Sequence, residues 1–185
     1  MHTMKTTARL TAAAALLLLA ACNNQNAKPT SSDASANPAE VQFTTNAYQI
    51  IEFDRQEGAL AKTQAQSPAV KAISDQLTNQ ANGFAVRLAP TATAASITPP
   101  RVLRSDLRVR LGHMRLQQGL DFDRTYVADQ IASHEELLRM QGGVGDEGTV
   151  SPQFATLMRD GTSLVRENLE KLRALQRQVG SPPRV

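Results

Sequence analysis

A chain of 185 residues has room for one substantial domain and not for two large ones. Hydrophobic residues make up 41%, aromatics only 4%, and Trp is absent, so the core must be built from Leu, Val, Ile, Ala and Met, which favours packed helices over a β-sandwich. The formal charge of +3 falls to +1, with 18 basic against 17 acidic groups, once Lys5 and Arg9 at the extreme N-terminus are set aside, and that balance is no footprint for a polyanion.

Lys5 and Arg9 open an apolar stretch from Leu10 to Ala21. At about twelve residues it is too short to cross a bilayer, which needs roughly 20, and it has the length of the apolar region of a signal peptide. It ends in Leu19-Ala20-Ala21-Cys22, which resembles the lipobox of bacterial lipoproteins. That resemblance implies cleavage before Cys22 and a diacylglycerol on its thiol. Asn23 follows in place of the Asp that retains lipoproteins in the inner membrane, so the expected destination is the outer membrane, with the domain facing the periplasm. Cys22 is the single cysteine, so no internal disulfide can form.

Residues 22–42, rich in Asn, Ser and Pro, are expected to be a disordered tether, with a helical domain over 43–178 and a polar tail over 179–185. The first predicted helix runs from about Thr44 to Gln66, with Asn46 and Gln49 spaced as a capping box. Ser67-Pro68 starts the second, which carries Val70, Ile73, Leu77, Ala81, Phe84 and Leu88 on one face. Residues 89–100 read as a loop. A shorter basic segment with Leu103, Leu107, Leu111 and Met114 follows, ending near Gly119. The next helix is expected from Asp121 as N-cap to Gln141, stopped by Gly142-Gly143. Ser151-Pro152 starts the last, with Phe154, Leu157, Met158, Val165, Leu169 and Leu172 inward. No segment alternates long enough for a sheet, and the expected fold is all-α, an antiparallel four-helix bundle with an extra short helix before the third long one.

The stretch from Leu120 to Glu135, with Phe122-Asp123-Arg124-Thr125-Tyr126 and His134, resembles the central motif of a ferritin-like family of exported bacterial proteins, the domain of unknown function 4142. Ser67-Pro68-Ala69-Val70-Lys71-Ala72, preceded by Gly58 and Ala61, is similar to that family's first hairpin. The resemblance implies a ferritin-like bundle with no established activity. Its members often carry His where this chain has Ala81 and Asn168, and an acidic residue where it has Gln56; His134 is retained.

The chemistry legible in the residues is sparse. A di-iron bundle uses Glu-x-x-His pairs, and none occurs here. His134-Glu135-Glu136-Leu137-Leu138 begins like a zinc-protease motif but has Leu138 where the second His belongs. Gly143, Gly145 and Gly148 match a dinucleotide fingerprint in spacing only, because they follow a helix and not a strand. His134 is read as a buried imidazole with Asn168 as its candidate partner. Arg101, Arg104, Arg108 and Arg110 form a basic stripe that either lies on an anionic surface or is simply the solvated back of a helix. The resulting expectation is a lipid-anchored, non-enzymatic interaction or structural module, without cofactor or catalytic residue, that meets an envelope protein or cell-wall component and no nucleic acid. The alternative is a metal-binding or oxidative-stress ferritin-like protein, with His134 as the ligand.

Overall fold

The computed structural model describes residues 36–143 and 149–180. Cys22, the signal and most of the expected tether lie outside them, as do Gly145, Gly148 and most of the C-terminal tail. Among the described residues there are five helices and no strand: α1 Pro38–Gln64, α2 Pro68–Ala94, α3 Ser105–Met114, α4 Gly119–Gly142 and α5 Pro152–Val179.

The helix ends follow from local chemistry. Helix α1 starts six residues before Thr44, because Asn37 Oδ1 accepts the Ala39 N–H at 2.9 Å and Pro38 is pre-set for the first helical position. Phe43 is consequently inside the core, and Asn46 and Gln49, expected as a cap, sit in mid-helix. Ala65 turns extended, and Pro68 opens α2 three residues on. Helix α2 continues through Pro90 to Ala94, past the start of the expected loop. Val86, whose carbonyl loses its donor to Pro90, is exposed, so water can replace that bond. Helix α4 begins at Gly119, which takes φ +62, and places Asp121 in the first turn rather than at the cap.

The serines expected to cap α2 and α5 by their side chains do not do so. Carboxylates from other helices act instead. Asp123 of α4 accepts the N–H groups of Gln66 (3.1 Å) and Ser67 (2.8 Å) at the start of α2. At the other end of the bundle, Glu40 of α1 accepts the Ser151 N–H at 2.7 Å, at the start of α5. Both place negative charge at the positive end of a helix dipole.

These contacts fix the topology. Helices α1 and α5 run from the Pro38 end to the Gln64 end, and α2 and α4 run back, so packed neighbours are antiparallel. Helices α2 and α4 point the same way, and the segment containing α3 returns the chain between them along the outside. A bundle with one such crossover is the ferritin-like arrangement. Apolar clusters fill the two ends: Phe43, Phe84, Leu88 and Phe154 at one, Ala61, Met114, Phe122, Tyr126 and Leu175 at the other. A third cluster joins α3 to the bundle through Leu103, Leu107 and Leu111 against Ile50, Phe53 and Leu137.

Candidate functional site

Between the end clusters lies a polar layer. On α1 the inward stripe Ile50, Phe53, Asp54, Glu57, Ala61 carries two acids, both buried. From α4, Gln130 donates its single amide nitrogen to both: 2.6 Å to Glu57 Oε2 and 3.1 Å to Asp54 Oδ1. Burial pushes the Asp54 carboxyl up to about 7, against the lowering effect of the Gln130 hydrogen bond. Burial also raises Glu57 well above the carboxylate range, with Asp129 and Asp54 adding to the effect. Burial thus favours the protonated form of Glu57, the form that can donate a hydrogen bond. Its Oε1, together with Gln130 Oε1, has no protein partner.

One turn along α4, His134 is buried and its Nδ1 lies 2.9 Å from the Gln130 carbonyl. A carbonyl only accepts, so Nδ1 carries the proton and Nε2 keeps its lone pair. Burial lowers this imidazole to about 4, so it is neutral. His134 and Asn168 were expected to bond to each other. They share a cavity of about 50 Å³, but the imidazole proton goes to its own helix and Asn168 Oδ1 has no partner. Asp54, Gln80 and Gln141 line the same cavity. Its volume is enough for a few waters and for nothing much larger. Ala81 also lines it. Gln56 faces outward and bonds to Glu52, so the inward acids of α1 are Asp54 and Glu57. The readable signal was two carboxylates on an otherwise apolar stripe.

A second candidate lies outside, on α3. The four arginines of the expected stripe do not act alike. Arg104 pairs with Glu136 at 2.5 Å and with Asp106 at 3.2 Å. Arg110 pairs with Asp129 at 3.2 Å and lays its guanidinium 4.8 Å from the Phe53 ring centroid. Both guanidiniums of these two are thus engaged by acids within the fold. Arg101 and Arg108 are exposed, and with Arg115 they line a shallow groove between α3 and α1, whose floor includes Leu103, Leu111 and Gln56. None of these three has an acidic partner among the described residues.

Each of the three precedes an exposed aliphatic residue: Arg101-Val102, Arg108-Val109 and Arg115-Leu116, at intervals of seven. Val102, Val109 and Leu116 are 66%, 61% and 83% exposed. Seven residues are two helical turns, so Val109 and Leu116 share a face, with Arg108 and Arg115 together along its flank. The segment before α3 is held by Gln49, which donates to the Val102 carbonyl at 3.0 Å and accepts the Arg104 N–H at 2.7 Å. The inward leucines were legible in the sequence. The outward heptad was missed because apolar periodicity was sought on one face only.

A family model described as a domain of unknown function, DUF4142, matches residues 25–175. No curated protein matches the chain. Among solved structures, the crystal structure of a DUF305 fragment from Deinococcus radiodurans is similar, with a TM-score of 0.69 at 12% identity, covering 77% of this chain and 98% of that one. At that identity the likeness is one of fold.

Proposed function

We propose, for a chain that belongs to the DUF4142 family, that it is an exported, lipid-anchored helical module that acts by surface contact rather than by turnover. The anchor is Cys22, read from Leu19-Ala20-Ala21-Cys22, and Asn23 directs the product to the periplasmic face of the outer membrane. The observation that carries the contact reading is the segment 101–116 around α3, where three arginines without an acidic partner among the described residues each precede an exposed aliphatic side chain. Exposed aliphatic groups in a row, flanked by arginines, favour a surface that is covered in use. Cys22 is 16 residues before Pro38, a reach of at most about 55 Å at the extended spacing, so the anchored domain stays close to the membrane.

The anchor is tested by fatty-acid labelling in cells, which Cys22→Ser should abolish along with membrane fractionation. The contact is tested with a photocrosslinking residue at Val109 and, as a control, at Val86, an exposed aliphatic on α2. Adducts at 109 and not at 86 are expected. Equal crosslinking at both, or none at either, overturns the contact reading. Turnover of a substrate by the purified chain, lost in His134→Ala, overturns the non-enzymatic one.

The second reading, a metal-binding ferritin-like protein, is favoured by His134 Nε2 and the Asp54 carboxyl on one cavity. The donor set fits poorly: among the described residues no three His, Cys, Asp or Glu side chains gather. Any ion would have to draw on amide oxygens such as that of Asn168. Elemental analysis of protein made without chelators decides this, with a stoichiometric metal lost in His134→Ala as the result that would establish it.

A further inference from the structure

We infer that the outer face of α3 is a site for anionic phospholipid headgroups, so that the bundle lies with α3 against a bilayer. The inference rests on the surface-contact reading and names the surface contacted.

The argument begins with charge. Arg101, Arg108 and Arg115 are exposed, have no acidic partner among the described residues, and line one groove. The neighbouring cations Arg104 and Arg110 pair with Glu136, Asp106 and Asp129, two positive charges against three negative. Against the one acid left over in that cluster, Arg101, Arg108 and Arg115 leave the segment with a net charge of about +2, which calls for an anionic complement. A guanidinium binds a phosphate through paired N–H groups.

The second point is the kind of apolar group between the arginines. Val102, Val109 and Leu116 project from the surface, and Leu120 is 44% exposed just beyond. They are aliphatic and separated by small residues, Ser105 and Gly112 lying on the same face of α3. A helix of 10 residues presents a strip about 15 Å long and about 10 Å wide, on the order of 150 Å² and well short of the roughly 800 Å² per partner of a stable protein interface. It also lacks the aromatic anchors that dominate protein interfaces, since Phe122 and Tyr126 are buried. A strip of alternating arginine and aliphatic side chains suits the plane of a bilayer interface, where the cations meet headgroups and the aliphatic tips enter the acyl boundary.

The third point is rigidity. Leu103, Leu107, Leu111 and Met114 are buried beneath the strip, and Gln49 clamps the residues before it, so the outer face is presented ready-formed. Each arginine near an anionic surface contributes about a fivefold gain in binding, and three give about a hundredfold. A contact of that strength is weak alone and sufficient when an anchor already holds the domain at the membrane.

The test uses the mature chain with Cys22→Ser, which removes the acyl group, in co-sedimentation with vesicles of phosphatidylcholine alone or mixed with phosphatidylglycerol. Binding to the mixed vesicles only, weakening as salt is added, is expected. Arg101→Gln, Arg108→Gln and Arg115→Gln together should lower it about a hundredfold. Val109→Ser with Leu116→Ser should lower it about tenfold. These side chains are exposed, so the helical circular dichroism should stay unchanged and separate lost binding from lost fold. Equal binding to both vesicles, binding that survives the triple substitution, or no binding to either overturns the inference. If vesicles fail while position 109 still crosslinks specifically, the surface-contact reading stands and its partner is a protein. If both fail, both readings fall.

Discussion

Glu57 on α1 and Gln130 on α4 meet in the middle of the bundle through one 2.6 Å hydrogen bond, and the same amide also reaches Asp54. A single neutral donor thus serves two buried acids. Burying a carboxylate against one amide is costly, so the layer favours the protonated acids.

The pH dependence of stability follows. Asp54 titrates near 7 in the folded chain and near 3.8 unfolded, so its protonated form stabilises at low pH and that contribution is lost as pH rises from about 4 to 7. His134 has the opposite sign: its folded value of about 4 lies below the unfolded 6.5, so stability falls as pH drops through that window. The effects are on the order of 4 kcal/mol for Asp54 and 3 kcal/mol for His134. In urea denaturation, His134→Gln should leave stability falling with rising pH between 4 and 7. Asp54→Asn paired with Glu57→Gln should leave it rising. The same slope in both variants would refute the assignment.

The crossed caps predict a paired stability effect. Asp123→Ala strands the N–H groups of Gln66 and Ser67 and should cost about 2–3 kcal/mol. Glu40→Ala strands only Ser151 and should cost about 1 kcal/mol. The sites are at opposite ends of the bundle, so the double variant should be additive in urea midpoints converted to free energy.

The arginines of the α3 segment should separate into two groups by thermal unfolding. Arg110→Ala removes the Asp129 pair and the contact over Phe53, and should cost about 1–2 kcal/mol. Arg101→Ala and Arg108→Ala, with no partner to lose, should stay within about 0.5 kcal/mol of the parent.

Gln49 should control the order of the segment before α3. Gln49→Leu keeps the volume and leaves the Arg104 N–H and Val102 carbonyl without partners. Hydrogen exchange at the Arg104 amide should speed up by at least tenfold, while amides in mid-α5 should change little.

Much of the fold was legible because apolar residues at helical spacing are dictated by packing: the inward apolar faces of α2 and α5 were read nearly residue for residue. The start of α1 was not, because the Asn37-Pro38 cap sits in a stretch with the composition of a tether, and Phe43, which packs against Phe84 and Phe154, is the first large apolar residue after it. Capping by Asp123 and Glu40 was not legible either, since a cap from a distant helix leaves no local spacing to find. In the polar layer, His134 was identified as buried from its place on the α4 stripe. Asp54, Glu57 and Gln130 were passed over because polar residues on an apolar stripe are easily taken as its edge.

The crossed caps also bear on how the chain reaches its fold. Hairpin α1/α2 receives the cap of its second helix from α4, and hairpin α4/α5 receives that of its second helix from α1. Neither hairpin formed alone can finish its own helix start, so each is frayed until the other docks. That reciprocity couples two halves joined only by an outer crossover into one cooperative transition, and makes the half-folded chain the least populated species on the way.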